Sequence, residues 1–337
     1  MKITVFLQIT TTERRKTNMS KETLSFSKEV LFSKNIEDGV MGYREELYSK
    51  FVRNMTGLLE SKRPKRYNSN RGLLDPRRLY RHQMDDNVFY KKTSTPNSDT
   101  TFVFLVDASG SMSNHQQVGN NQDYLTRLDV CCAICSAFAK ANKTVLGNKI
   151  KMEVFTKSEG GEVFNSFVKG YVPILSRVYS NVKNDTNWDK LLKLDCTAPL
   201  KKGSRRTGSY TPEFLLLPTV MQWAKKNLTT KNMVIINLTD GEVVHQFIPK
   251  DSIEQYEESS YSVKTYRAYD EDTKALRIKY LRGVPNTTLY MTGRYGNSEW
   301  EHSRIKDMYG KNAVSASDET FDVEFFKTLN TLLNEYA

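Results

Sequence analysis

TFVFLVDASGSMS, residues 101–113, runs through five consecutive apolar residues, Phe102 to Val106, and then turns polar at Asp107. A continuous apolar run of this kind reads as a strand buried on both faces, the pattern of a parallel sheet covered by helices. Asp107, Ser109 and Ser111 follow at every second position. In extended or looping backbone that spacing sets three side chains on one side, so one carboxylate and two hydroxyls face a common centre. All are hard oxygen donors. They suit Mg²⁺ in near-octahedral coordination, with Mn²⁺ and Ca²⁺ as the other candidates, and they disfavour zinc. Asp and Ser are also frequent turn formers and caps, so the string taken alone is equally compatible with a plain turn.

Its surroundings point further. The spacing predicts a helix over 123–142 with Leu125, Leu128, Cys131, Cys132, Cys135, Phe138 and Ala139 on one face. More strands are expected in KIKMEVFT (149–156), NMVIINLTD (232–240) and TTLYMTG (287–293), and helices at 213–227 despite Pro218, at 270–282 and at 321–335. This alternation predicts an α/β fold, a doubly wound and mostly parallel Rossmann-like sheet over residues 98–337. In such sheets sites form at the carboxyl ends of strands, where Asp240, ending NMVIINLTD before Gly241, is expected to join Asp107.

Residues 20–100 differ in character and lack strand alternation. Val40, Met41, Leu47, Phe51, Met55 and Leu58 recur at intervals near three and four, which predicts an amphipathic helix. Eight Lys or Arg follow among residues 62–81, broken by Pro64 and Pro76, and read as a basic connector with a short helix beginning near Asp75. Residues 1–18 read as a flexible leader, with Met19 the more natural start. The expected organisation is therefore 1–18 leader, 19–97 helical and basic region, and 98–337 α/β domain.

A chain of 337 residues, 38% hydrophobic and with 18 Tyr and 16 Phe, is long and aromatic enough to bury a sizeable core. Its formal net charge of +11 favours anionic partners without choosing among them. Four cysteines, three of them in CCAIC (131–135), are too few for a disulfide framework and fit a reducing cytoplasm. No run approaches the ~18 apolar residues a membrane span needs. G-x-x-x-x-G-K-[ST] is absent, so no nucleotide is expected at a P-loop of this chain.

VDASGSMS (106–113) resembles the metal-ion-dependent adhesion site of von Willebrand factor A domains, and NLTDG (237–241) resembles that site's third loop. The resemblance implies a metal held by Asp107, Ser109 and Ser111, with Asp240 acting through water and a hydroxyl from a middle loop. RTGSYTPEFLLL (206–217) is the candidate loop. One placement sets Thr211 before Pro212 on the family's pattern, and the other sets Ser209 after Gly208; Thr211 is preferred. So few carboxylates leave the metal electron-poor, ready to accept a carboxylate from a partner, which implies docking rather than catalysis.

A more specific resemblance covers residues 30–337. RYNSNRGLLDPRRLYR (66–81) and VFYKK (88–92), placed before the metal loop, are similar to the CobT subunit of aerobic cobaltochelatase, and DVEFFKTLNTLLNEY (322–336) closes the chain in the same order. This implies a cytoplasmic, non-catalytic adaptor paired with a AAA+ ATPase of the CobS or MoxR type. It also implies a large chelatase subunit as target, a homo-oligomeric ring, and Arg77 and Arg78 as partner-docking residues. The family carries a long acidic stretch before its A domain, whereas here that region is short and basic. Two alternatives stay open: a AAA+ adaptor acting on a target other than a tetrapyrrole, and a nucleic-acid-associated A domain using Arg63, Lys65, Arg66, Arg77 and Arg78. An adhesion module fits the cysteine usage least.

Other residues read more plainly. His115 and His245 lie shortly after the two aspartates and are expected as solvent-facing loop residues. CCAIC has no accompanying zinc-spaced partners and is expected to pack as small hydrophobes. DTKALRIKYLRG (272–283) is a solvated basic helix.

Overall fold

Thr100–Asp107 is buried along its whole length, as its unbroken apolar run requires, and forms the middle strand of the main sheet. The computed structural model describes residues 26–27, 38–60, 66–69, 73–74, 76, 89–92, 99–113, 126–164, 168–183, 187–194, 216–240, 245–247, 266–268, 270–291, 299–315 and 321–336. In chain order the elements begin with β1 (Phe26–Ser27), α1 (Asp38–Glu60), β2 (Arg66–Ser69), β3 (Leu73–Leu74), β4 (Phe89–Lys92), β5 (Thr100–Asp107) and α2 (Arg127–Leu146). Next come β6 (Lys151–Phe164), β7 (Val168–Ser180), α3 (Leu217–Asn227), β8 (Asn232–Thr239), β9 (His245–Phe247) and β10 (Tyr266–Ala268). The last are α4 (Asp270–Leu281), β11 (Asn286–Tyr290), α5 (Glu299–Tyr309), β12 (Ala313–Ser315) and α6 (Phe321–Tyr336).

The main sheet has the order β1-β7-β6-β5-β8-β11-β12. β5 pairs in parallel with β6 on one side and β8 on the other, and β8, β11 and β12 continue in parallel. Only the β6–β7 pair is antiparallel in this sheet, among the described residues. The fold is thus α/β with a mostly parallel mixed sheet. Alternate residues of β5 enter two cores. Phe102, Phe104 and Val106 pack with α1, α2 and α6, while Val103 and Leu105 pack with α3, α4 and α5. Six α-helices among the described residues therefore cover both faces. None of these helices is long and apolar enough to cross a membrane.

α2 shows how the chain starts and stops a helix. Thr126 caps it by accepting from the Asp129 amide at 3.2 Å, while Asp129 accepts from the Thr126 amide at 2.6 Å, a reciprocal capping box. Gly147 ends it at φ 63°, the left-handed conformation that glycine adopts without steric cost. The helix therefore runs from Arg127 rather than from residue 123 as the apolar spacing suggests. Pro218 sits in the first turn of α3, where its missing N–H costs nothing.

α1 buries Leu47, Tyr48, Phe51, Met55 and Leu59 in the same cluster as α2, and the Phe51 ring meets Phe326 of α6 edge-on at 5.9 Å. These contacts cross the boundary expected at residues 97 and 98. The basic connector also differs from expectation, since β2 and β3 within it join β4 beyond it in a three-stranded antiparallel sheet. Strands of two to four residues such as RYNS and FYKK are too short and too polar for alternation to reveal. β7 was hidden by Gly170 and Pro173, which ordinarily speak against a strand interior. α5 was hidden because, among its described side chains, Ile305, Met308 and Tyr309 form a short buried stripe. The short helix expected near Asp75 lies outside the described residues.

Candidate metal centre

Parallel pairing delivers the two aspartates to one edge of the sheet. Val106 of β5 stands opposite Leu238 of β8, so Asp107 and Asp240 emerge one residue apart in register at the carboxyl ends of adjacent strands. The edge is fixed on either side. The Ala108 amide donates to the Lys157 carbonyl of β6 at 2.9 Å, and the Met291 amide after β11 donates to the Thr239 carbonyl at 2.9 Å.

Asp107 is fully buried, and both of its oxygens accept hydrogen bonds. Oδ1 takes the Ser109 amide at 2.8 Å, which folds the loop back over the strand end. Oδ2 takes the Thr239 hydroxyl at 3.0 Å, tying β5 to β8. One turn of 3₁₀-helix, Gly110–Ser113, follows, closed by the Met112 amide on the Ser109 carbonyl at 3.2 Å. Met112 is buried in the core and pins this turn. The result brings the Ser109 and Ser111 hydroxyls to 3.0 Å from each other, so the i+2 and i+4 hydroxyls do converge.

Asp240 is 2% exposed. Its Oδ2 accepts from Arg127 Nη1 at 2.6 Å, and its Oδ1 is buried with no hydrogen-bond partner among the described residues. A buried carboxylate oxygen without a partner is costly, and a cation or a cation-bound water is the natural group to satisfy it. Both aspartates also act on one thiol. Burial above all pushes Cys131 well above its ordinary value near 9.0, and the neighbouring Cys135 and Cys132, then Asp107 and Asp240, push in the same direction. The two carboxylates thus lie within electrostatic range of a single side chain in the first turns of α2.

Asp107, Ser109, Ser111 and Asp240 are therefore brought to one end of the sheet. Thr211 and Ser209, the rival middle-loop hydroxyls, lie outside the described residues, as do Arg77, Arg78 and His115. His245 opens β9 and stands opposite Ala268 of β10. Among the described residues no group of three or more His, Cys, Asp or Glu side chains is placed to hold a metal. The donor set here has only two carboxylates and draws the rest from hydroxyls, all hard oxygens that fit Mg²⁺.

Two buried cations at this edge were missed from the sequence. Lys157 is 3% exposed and stands opposite Asp107 in the β5–β6 register. Arg127 is 7% exposed at the first position of α2. That placement carried a signal, because a cation at a helix N-terminus opposes the helix dipole and calls for a local anion. Asp240 is that anion. The cysteines behave as expected of small packing groups: Cys131, Cys132 and Cys135 are buried in the core, with Cys131 Sγ 3.9 Å from Met291 Sδ.

Comparison with known proteins adds little. No family model matches the chain, and no curated protein does. Among solved structures it is similar to the pilus adhesin RrgA from Streptococcus pneumoniae, at 11% identity and a TM-score of 0.38, over 70% of this chain and 44% of that one. The chain thus spans less than half the length of that adhesin.

The buried thiols set a pH dependence. Cys131 and Cys135 are both held well above 9.0, chiefly by burial, and Tyr48 is raised above 10.0 for the same first reason. Above about pH 9 the unfolded chain releases thiol protons that the folded chain keeps, so stability is fully present below that pH and falls as pH rises. The slope is about 1.4 kcal/mol per pH unit for each thiol. Urea midpoints measured at rising pH should follow this decline, and Cys131→Ala with Cys135→Ala should flatten it. An equal decline in that variant would assign the effect elsewhere.

Proposed function

We propose that the chain is a cytosolic adaptor built on a von Willebrand factor A domain of the CobT type, binding Mg²⁺ and docking a carboxylate of a AAA+ ATPase complex. Asp107, Ser109 and Ser111 would hold the ion directly, Thr211 or Ser209 would complete the hydroxyl set, and Asp240 would act through water. Bound there, the ion supplies a positively charged centre that takes an outside carboxylate as its last ligand. The observation that carries this reading is the buried Oδ1 of Asp240, without a hydrogen-bond partner among the described residues, at the same sheet edge as a hydroxyl pair and a second carboxylate. Nothing in this set resembles a nucleophile paired with a base, so the chemistry it suits is recognition. A AAA+ ATPase of the CobS or MoxR type and a large chelatase-like target are the partners this reading calls for.

A second reading has one observation in its favour. In the small sheet Arg66 stands directly opposite Lys92, and Tyr67 opposite Lys91. Like charges in directly opposed positions destabilise a strand pair, and an anion laid across them relieves the repulsion. Single-stranded nucleic acid offers such phosphates, with bases to stack on tyrosines. Its mark is a gel shift with random-sequence single-stranded DNA whose affinity falls with salt at about 0.7 log units per log unit for each phosphate neutralised. An affinity indifferent to salt or to Arg66→Gln with Lys92→Gln removes it.

The adaptor reading is tested by pull-down of a AAA+ ATPase encoded beside this chain. Asp107→Ala should weaken capture by about 2–5 kcal/mol, the cost of removing one side of a desolvated charged contact, and EDTA should do the same to the wild type. Capture as strong in the variant, or in EDTA, as in the untreated wild type contradicts it.

A further inference from the structure

Arg127 is not part of the expected donor set, yet it makes the closest contact in the site. Its Nη1 reaches Asp240 Oδ2 at 2.6 Å, with side chains 8% and 0% exposed. Asp240 is therefore divided: one oxygen is paired with a built-in cation, and the other is buried without a partner among the described residues. Lys157 stands across the register from Asp107, so the strand ends carry two buried acids and two buried bases. Arg127 cancels the charge of one of the two carboxylates that a divalent ion would meet at this edge. An anion from outside would restore what the ion pair removes.

Resting on the metal-site reading above, we infer that Arg127 sets the metal affinity low, by neutralising Asp240, and so makes occupancy depend on an anionic group brought by the partner. The capping box at Thr126 and Asp129 holds Arg127 at the first helical position, aimed at the strand ends. An arginine placed there against the helix dipole is a poor choice for the helix alone, and its contact with Asp240 supplies the reason. Metal without a partner carboxylate then binds weakly, and partner without metal finds no electrophilic centre. Each raises the affinity of the other, as linkage requires.

The measurement is Mn²⁺ binding to the full chain followed by electron paramagnetic resonance, with and without 50-fold excess acetate as a stand-in carboxylate. Arg127→Gln should tighten Mn²⁺ at least about tenfold and abolish the gain from acetate, since a unit charge a few ångströms away is removed from a poorly screened site. Should Arg127→Gln fail to fold, the Asp240 pair decides. Asp240→Asn alone leaves Arg127 buried without its anion and should weaken Mn²⁺ at least about tenfold. Arg127→Gln with Asp240→Asn should return it to within about threefold of wild type. If wild type and Arg127→Gln bind alike, and Asp107→Ala abolishes binding to both, Arg127 is only a structural ion pair and this inference falls alone. If no form takes up Mn²⁺ in an Asp107-dependent way, the metal reading falls with it.

Discussion

The pairing of β5 with β8 is the constraint on which the site depends. Because the two strands run parallel with Val106 opposite Leu238, their carboxyl ends finish together, and Asp107 and Asp240 share an edge. The Thr239 hydroxyl on Asp107 locks that alignment with a side chain from the neighbouring strand. Shift the register by one residue and the apolar sets of β5 and β8 exchange cores, so slippage is opposed by Phe102, Phe104 and Val106 on one face and Val103 and Leu105 on the other. Packing thus fixes the position of chemistry that contributes little to packing itself.

The edge places an ion pair beside hydroxyls and a second carboxylate. Hydroxyls from Ser109 and Ser111 converge, Asp107 has both oxygens occupied, and Asp240 shares its charge with Arg127. On the adaptor proposal, an ion pair that offsets one of the two carboxylates would weaken metal binding until a partner supplies an anion, which suits a contact that forms and releases.

Much of this was legible in the sequence, and the parts that were not share a cause. The apolar runs of β5 and β8 marked buried parallel strands because both faces must be largely apolar, and of the i, i+2, i+4 set the Ser109 and Ser111 hydroxyls lie 3.0 Å apart. Where side chains exposed no period, reading failed: the short polar strands β2 and β4, β7 with Pro173 inside it, and α5 with a stripe of three residues. Arg127 escaped for another reason. Its role lies in a contact 113 positions away in sequence, between residues that no local pattern connects. Only its conflict with the helix dipole hinted at a partner.

The central claim is that these side chains surround one divalent ion. Anomalous scattering from crystals grown with Mn²⁺ tests it most directly. The account predicts a single strong peak about 2.0–2.3 Å from a carboxylate oxygen of Asp107 and from the Ser109 and Ser111 hydroxyls, with Asp240 Oδ1 one water away. A well-occupied Mn²⁺ elsewhere on the molecule, with the Asp107 edge empty at the same concentration, would contradict it.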